Sequence, residues 1–301
     1  MRELIRKLTG AFGPSGAEEP IRKVIRAEIE PLADEIRVDP LGSLIARKQC
    51  GDGKRILLDA HMDEIGVMVT YVDEKGFARF TRIGGVYTLN HVGGRVAFAD
   101  GTVGVIGIEG KRKDPNKVPK FEQLYLDVGA TSRDDCPVGV GDAVLIETLR
   151  RLEQTDHDVH FVFAVQEEVG MRGAHTATYG IDPDMAIAVD VTTTGDTPEA
   201  RPMAVELGKG PAIKIKDAGM IAHPAVRDLM IQQAKKAEIP YQLEVLERGT
   251  TDAAAMQLVR AGVPSGCLSV PCRYVHTPSE MVDEQDVENS VQLLLEVLQA
   301  A

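Results

Sequence analysis

The chain has 301 residues, with 34 Lys or Arg against 46 Asp or Glu, so its formal net charge is −12. Such an acidic chain lacks the positive surface that nucleic acid or anionic lipid requires, and we expect neither partner. Its composition is ordinary for a globular protein, and no window approaches the roughly 20 apolar residues of a membrane helix. A surface charge of this size mainly keeps a protein soluble.

The N-terminal stretch MRELIRKLTGAFGPSGAEEP is charged and short of apolar length, so it does not predict a secretory signal. Four cysteines are too few and too scattered for a disulfide framework: Cys50, Cys136, Cys267 and Cys272. We therefore predict reduced thiols in a cytoplasmic protein.

The predicted elements alternate between amphipathic helices and short buried strands. In chain order they are a helix at 16–32, a strand at 55–60, a β-rich region, a helix at 142–154, strands at 159–165 and 185–190, helices at 223–239 and 251–262, a strand at 266–270 and a helix at 286–301. This alternation predicts an α/β fold with a mainly parallel sheet flanked by helices on both faces.

The β-rich region differs from the rest of the chain. It is Gly-rich, with the alternation of half-buried strands and frequent turn signals, and no helical period is evident in it. We therefore predict two domains. An α/β domain comprises residues 1–66 and 143–301, and a small all-β insert comprises residues 67–142.

Histidine or acidic residues follow each of four predicted strands. His61, Asp63 and Glu64 follow the first, Glu167 and Glu168 the second, Asp190 ends the third, and His276 lies shortly after the fourth. In an open α/β sheet, ligands bind in the crevice at the carboxyl ends of the strands. The four strands therefore predict one crevice lined by imidazoles and carboxylates.

This mixture of side chains suits zinc, with cobalt or manganese as alternatives. His61 and Asp63 flank a single residue, so in extended chain both side chains leave the same face. Asp63 is then expected to accept the proton of the second imidazole nitrogen. Glu167 and Glu168 are adjacent and should diverge, so that one ligates a metal while the other is a general base for a water that the metal activates.

Taken singly, each of these residues is more often structural than functional. We assign a structural role to five other histidines, His91, His157, His160, His175 and His223, and we expect Asp59 to be a structural hydrogen-bond acceptor. The functional interpretation depends on several candidates sharing one edge of the sheet.

Several long motifs resemble those of the tetrahedral aminopeptidases, a family of dinuclear metallopeptidases that includes glutamyl, leucyl and lysyl aminopeptidases. The motifs are LLDAHMDEIGVMV, AVQEEVGMRGA, AVDVTTTGDTP, GKGPAIK and SVPCRYVHTPSEMVD. The resemblance extends from GAFGPSGAEEPIRKVI to the C-terminal helix. It implies a zinc-exopeptidase-like fold, an insert used in subunit contacts and therefore a homo-oligomer.

The resemblance also implies an activity, the release of N-terminal residues from short peptides, with one or two divalent metals per chain, zinc or cobalt above all. It implies roles for individual residues. His61 and Asp190 would ligate one metal, Glu168 and His276 the other, Asp63 would support His61, and Glu167 would be the general base.

One family motif is missing. The family carries an Asp-Asp-Arg-x-Gly motif at the start of the helix after the insert, and one of its aspartates bridges both metals. That motif does not occur here, and Pro137 and Val138 stand at the aligned positions. The nearby carboxylates are Asp134, Asp135 and Asp142, the last expected in a turn of the insert. Each metal would keep two protein ligands, below the three usual for catalytic zinc.

Three functions follow from these observations. The first is an active metalloaminopeptidase, with Asp142 or water in place of the missing bridge. The second is a degenerate paralogue with an impaired metal site that acts as a peptide-binding or assembly protein. The third, a glycosidase, needs two carboxylates at least about 5 Å apart along a sugar cleft. Aromatic residues make up 4 % of the chain and Trp is absent, which disfavours it.

Overall fold

A computed structural model of the chain describes residues 1–73, 76–109, 118–127, 140–198, 200, 202–277 and 279–301. These residues form two sheets, one nine-stranded and mixed, the other five-stranded and antiparallel. In this part of the chain no helix is both long enough and apolar enough to cross a membrane.

The helices and strands are numbered in chain order. The helices are α1 (Arg2–Thr9), α2 (Glu19–Ile29), α3 (Thr88–His91), α4 (Val140–Arg151), α5 (Arg172–Ile181), α6 (Pro224–Lys236), α7 (Ala253–Met256) and α8 (Glu284–Ala300). The strands are β1 (Glu35–Val38), β2 (Leu44–Gln49), β3 (Arg55–His61), β4 (Gly66–Val72), β5 (Ala78–Ile83), β6 (Arg95–Ala97), β7 (Val103–Ile108), β8 (Leu124–Asp127), β9 (Asp158–Ala164), β10 (Met185–Thr192), β11 (Ala212–Lys216), β12 (Gln242–Val245), β13 (Ser265–Arg273) and β14 (Met281–Val282).

The large sheet has a parallel centre. Its order is β1-β2-β9-β3-β10-β13-β11-β12, with β14 paired to the end of β13. Strands β9, β3, β10 and β13 run parallel to one another, while β2 is antiparallel to β9 and β11 to β13. The predicted α/β fold is confirmed, and the four strands predicted to carry the candidate residues are the four parallel neighbours at its centre.

Helices cover both faces of this sheet because its central strands are apolar on both sides. Ile56 and Leu58 of β3 belong to a core with residues of α1, α2, α4, α6 and α8. Leu57 faces the opposite side and packs in a second core with residues of α5 and α7. The strands are therefore held rigidly, and their carboxyl ends have fixed positions.

Two predicted helices differ from the observed ones. The helix predicted at 251–262 is shorter in the structure, where it is limited to α7, and the positive φ angles of 54° at Arg260 and 106° at Gly262 exclude those two residues from a helix. The helix predicted from residue 142 begins at Val140. Asp142 therefore lies in the first turn of α4, and the expectation that it is a turn residue of the insert was wrong.

The small sheet is a separate antiparallel unit in the order β4-β5-β8-β7-β6, with its own core of Ala78, Ile106, Leu124 and Leu126. The predicted all-β region is confirmed as a separate antiparallel sheet. Its strands run from Gly66 to Asp127, and the short helix α3 lies within it. The division at residues 66/67 and 142/143 stays a prediction.

A buried ion pair joins two strands at one side of the large sheet. Lys214 of β11 is the register partner of Glu244 of β12, and their Nζ and Oε2 atoms are 3.1 Å apart with neither side chain exposed. The hydroxyl of Thr192, at the end of β10, donates to the same carboxylate. The pair thus ties β11 and β12 to a strand that carries a candidate ligand.

Removing one partner of this pair should be costly. Lys214→Met leaves the Glu244 carboxylate buried with a single hydroxyl donor, and we expect the free energy of unfolding to fall by about 3–5 kcal/mol. The double variant Lys214→Met/Glu244→Leu removes both charges and should recover most of that loss. Urea unfolding followed by circular dichroism measures both, and a single variant as stable as the parent chain would contradict the prediction.

Candidate active site

The carboxyl ends of β3, β9, β10 and β13 open on one cavity of about 1490 Å³. Five of the six predicted site residues line it: His61, Glu167, Glu168, Asp190 and His276. The sixth, Asp63, is not part of the lining and has no exposed surface. Four parallel strands thus bring these side chains to one place, although more than two thirds of the chain separates His61 from His276.

The two imidazoles each pair with one carboxylate. The Nε2 atom of His61, at the end of β3, is 3.5 Å from Oδ1 of Asp190 in β10. The Nε2 atom of His276, beyond β13, is 3.1 Å from Oε1 of Glu168. The arrangement is therefore two His–carboxylate pairs on one cavity wall.

Both pairs have a strongly negative environment. Burial alone would lower the pKa of His61, but the Asp190 carboxylate, together with Glu167 and Asp63, raises it well above its usual value. The hydrogen bond to Glu168 raises the pKa of His276 despite its partial burial. The carboxylates around each imidazole therefore stabilise its protonated, positively charged form.

The Asp63 carboxylate organises the two glutamates. Its Oδ1 accepts a hydrogen bond from the backbone N–H of Glu167 at 2.9 Å, and Oδ2 accepts from the N–H of Glu168 at 3.3 Å and the hydroxyl of Ser15 at 2.5 Å. All three donors lie on segments distant from Asp63 in sequence. This side chain therefore fixes the backbone of the turn that carries both glutamates.

The predicted contact between the Asp63 carboxylate and the His61 ring is not what the structure shows. Nδ1 of His61 lies 3.0 Å from the backbone carbonyl of Asp63, whereas the carboxylate Oδ1 is 3.8 Å away. The physical reason is the buried backbone N–H groups of the glutamate turn, which need an acceptor and receive it from that carboxylate. The ring is still held by residue 63, but through its main chain.

The two glutamates lie in the turn between β9 and α5. Gln166 adopts a left-handed φ of 58°, and the carbonyl of Glu167 accepts from the N–H groups of Gly170 and Met171. Glu168 then reaches His276, while burial raises the pKa of Glu167 well above its usual value, an effect that His61 opposes. Glu167 is thus a carboxyl of high proton affinity that lines the cavity without pairing to His276.

Three further acids are buried nearby. Among the described residues, the carboxylate oxygens of Asp59, Asp142 and Asp252 have no hydrogen-bond donor. Burial raises the pKa of Asp59 to about 7, and its carboxyl lies against that of Asp252. The side chain that Asp59 faces is another acid, Asp252, which can donate a hydrogen bond only when it is protonated, so the expected role of Asp59 as a structural hydrogen-bond acceptor stays a prediction.

Sequence reasoning missed several residues that shape the site. Ser15 bonds Asp63, Glu280 bonds the backbone of His276, and a β-carbon at Gly84 or Gly85 would lie within 3.0 Å of Glu168 or His276 respectively. Ser15 and Glu280 occur inside motifs that were singled out. No spacing rule distinguishes them there, since their partners are backbone groups or distant side chains.

Most of the histidines predicted to be structural have local roles. Nδ1 of His157 accepts from the N–H of Lys54, Nδ1 of His223 accepts at the start of α6, and His160 pairs with Asp158 at 3.3 Å. His175 is exposed on α5. His91 lines the cavity, and burial lowers its pKa.

Within the described ranges, no three His, Cys, Asp or Glu side chains are grouped closely enough to hold one metal ion. Asp134, Asp135, Pro137 and Val138, the residues considered for the missing bridge, lie outside these ranges, as does Cys136. Cys50, Cys267 and Cys272 are free thiols.

The chain was compared with known sequences and solved structures. A sequence model of the M42 glutamyl aminopeptidase family matches residues 42–144 and 138–293. The lysyl aminopeptidase of Pyrococcus furiosus is 34 % identical over 337 residues, covering 99 % of this chain and 96 % of the relative.

Two solved structures agree with these matches. An aminopeptidase from the archaeon Desulfurococcus kamchatkensis superimposes with a TM-score of 0.92 at 37 % identity, covering 99 % of this chain and 94 % of its own. The TET1 peptidase of Pyrococcus horikoshii gives a TM-score of 0.87 at 30 % identity, covering 100 % and 99 %. The chain therefore belongs to the M42 glutamyl aminopeptidase family and is a peptide hydrolase of the aminopeptidase class.

Proposed function

We propose that this protein is a metal-dependent aminopeptidase that releases N-terminal residues from short peptides, with Glu167 as the general base. One observation carries the proposal. Two His–carboxylate pairs and a partly buried glutamate of raised pKa line a single cavity at the carboxyl edge of the sheet. Its volume, about 1490 Å³, exceeds that of a typical small-ligand pocket and leaves room for a peptide.

The residues of the two pairs fit a divalent cation. Their donor atoms are imidazole nitrogens and carboxylate oxygens, the set that zinc and cobalt accept. The surrounding carboxylates raise the pKa of both imidazoles, and the negative charge that favours the added proton would also attract a metal cation. When bound, the metal would polarise the scissile carbonyl and make a water more acidic.

The roles we assign follow the geometry. His61 and Asp190 would hold one ion, and Glu168 and His276 the other, with one or two ions per chain. Asp63 holds the turn of the two glutamates by its hydrogen bonds to their N–H groups. Glu167, kept apart from His276, would take a proton from the attacking water and return it to the amine that leaves.

We also propose that the bridging aspartate of the family is deleted here. The family match consists of two segments, residues 42–144 and 138–293, which overlap at residues 138–144, where the predicted deletion lies. The alignment with the Pyrococcus furiosus enzyme extends over 337 residues, 36 more than the 301 of this chain, as expected when a segment is absent. Asp142, fully buried in the first turn of α4 near His61 and Asp63, is the carboxylate we propose in its place.

A second candidate function is a degenerate paralogue that binds peptides or assembles without turnover. Among the residues that the structure describes, each pair offers two ligands, and this favours the paralogue because a catalytic zinc usually has three protein ligands. The presence of Glu167, with its backbone N–H held by the Asp63 carboxylate, favours the enzyme, because a protein that only binds peptides does not need a general base. The number of ions that the chain binds separates the two.

We further propose that the protein is a homo-oligomer that uses the small sheet. Large apolar side chains are exposed on its strands and its helix region, including Met68, Tyr71, Tyr87 and Leu89. Such a patch is typical of an interaction site. The TET1 peptidase of Pyrococcus horikoshii assembles into a tetrahedron or an octahedral shell, which supports self-association here. A cytoplasmic location stays a prediction.

Loss of the general base should abolish most turnover. With zinc, cobalt or manganese supplied, Glu167→Gln is expected to release p-nitroaniline from aminoacyl-p-nitroanilides about 10²–10⁴-fold more slowly than the parent chain. The exposed substitution Glu153→Gln is the matched control and should leave the rate unchanged. Equal rates for Glu167→Gln and the parent chain, or chelator-resistant release of reducing sugar from a β-glucan, would contradict the aminopeptidase proposal.

The two pairs should hold separate ions. We expect up to two zinc or cobalt ions per chain by native mass spectrometry, with one lost in His61→Ala and the other in His276→Ala. His175→Ala, an exposed histidine on α5, should bind like the parent chain. If the parent chain binds no ion at micromolar metal, the paralogue without catalysis becomes the better account.

Self-association should depend on the small sheet. Light scattering after size exclusion is expected to give a mass at least twice the 32.6 kDa of one chain. Met68→Lys places a charge in the exposed apolar patch and should lower that mass. Leu258→Lys, an equally conspicuous exposed residue outside the small sheet, should not. A monomeric parent chain would refute the assembly proposal.

A further inference from the structure

His276 lies in a loop whose backbone is unfavourable for it. The loop joins β13 to β14, which pair through Cys272 with Val282 and Arg273 with Met281. Within it Tyr274 and His276 adopt left-handed φ angles of 63° and 61°. Residues with a β-carbon rarely adopt this conformation, so it persists only where the surroundings enforce it.

The base of this loop is anchored from outside. The guanidinium of Arg273 binds the carboxylate of Asp196 through two contacts, Nη2 to Oδ2 at 2.6 Å and Nε to Oδ1 at 3.1 Å. This fork fixes the point where the chain leaves β13. It does not reach His276 itself, three residues further on, so another contact must select the orientation of that residue.

Glu280 supplies that contact. Its Oε1 accepts a hydrogen bond of 2.7 Å from the backbone N–H of His276, across the neck of the loop. A carboxylate that accepts a backbone N–H makes a strong bond, and this one is partly shielded from water. The opposite side of the imidazole meets Gly85, where an added β-carbon would lie 2.4 Å from Nδ1.

We propose that Glu280 is a positioning residue that holds His276 in its left-handed conformation and so sets the second His–carboxylate pair. The Glu280 bond fixes the main chain, Gly85 limits the ring, and together they leave Nε2 facing Glu168 at 3.1 Å. Nothing in this role requires Glu280 to touch substrate or metal. This inference rests on the proposed function for its effect on metal binding, but not for the hydrogen bond itself.

Cobalt or zinc titration of metal-depleted protein measures the effect. In Glu280→Ala the His276 amide loses its acceptor, and we expect the ion held by His276 and Glu168 to bind about 10–100-fold more weakly, as for other residues that orient ligands. The ion at His61 and Asp190 should keep its affinity. Glu280→Gln retains a side-chain oxygen at the same reach and should restore binding to within a few-fold of the parent chain.

A second measurement does not depend on metal. Hydrogen–deuterium exchange of the peptide spanning 274–282 in the metal-free chain should be faster in Glu280→Ala and near the parent rate in Glu280→Gln. Ser279→Ala, an exposed side chain in the same loop, is the matched control for both measurements. If Glu280→Ala does not fold, Glu280→Asp shortens the side chain by one methylene and tests the same bond.

The outcomes separate this inference from the proposed function. Unchanged exchange and unchanged affinity in Glu280→Ala would overturn the inference while leaving the aminopeptidase proposal standing. If the parent chain binds no metal, the proposed function fails, and the exchange rates alone decide whether Glu280 holds His276. Equal losses in Glu280→Gln and Glu280→Ala would also overturn it, because the acceptor oxygen would then not matter.

Discussion

The candidate site depends on one buried carboxylate, that of Asp63. It receives hydrogen bonds from the Ser15 hydroxyl and from the N–H groups of Glu167 and Glu168, which belong to segments far apart in the chain. A buried acceptor with several donors is rigid, since moving any one of them leaves a polar group without a partner. The end of β3, the N-terminal segment and the glutamate turn are thereby joined, and both pairs are built around that junction.

Much of this arrangement could be predicted from the sequence, for a definite reason. Runs such as VHFVFAV and MAIAVD are apolar at all but one position, which is the pattern of strands covered on both faces, and the residues at the ends of such strands meet at one edge. The neighbourhood of His61, Glu168, Asp190 and His276 follows from that rule. The antiparallel strands β2 and β11 could not be predicted by that rule. Their alternation of apolar and polar residues is weak, and they pair with strands distant in sequence.

The details within the site were beyond reach for a different reason. The orientation of Asp63 is decided by which buried N–H groups lack an acceptor, and that depends on a turn more than a hundred residues away. The juxtaposition of Asp59 with Asp252 likewise joins β3 to the residue before α7. Sequence spacing describes which residues leave one element on one face. Sequence spacing does not tell which polar groups on other elements will form hydrogen bonds with those residues.

Two glycines, Gly84 and Gly85, follow strand β5 of the small sheet, and they restrict which sequence changes this protein could accept during evolution. Gly84 and Gly85 bring the backbone so close to Glu168 and His276 that even a methyl group would collide with them. The loop after β5 of the small sheet is thus in direct contact with the candidate site residues. Exchanging the small sheet with that of a relative, or remodelling it to alter quaternary structure, would change the wall of the candidate site unless glycine were kept at both positions.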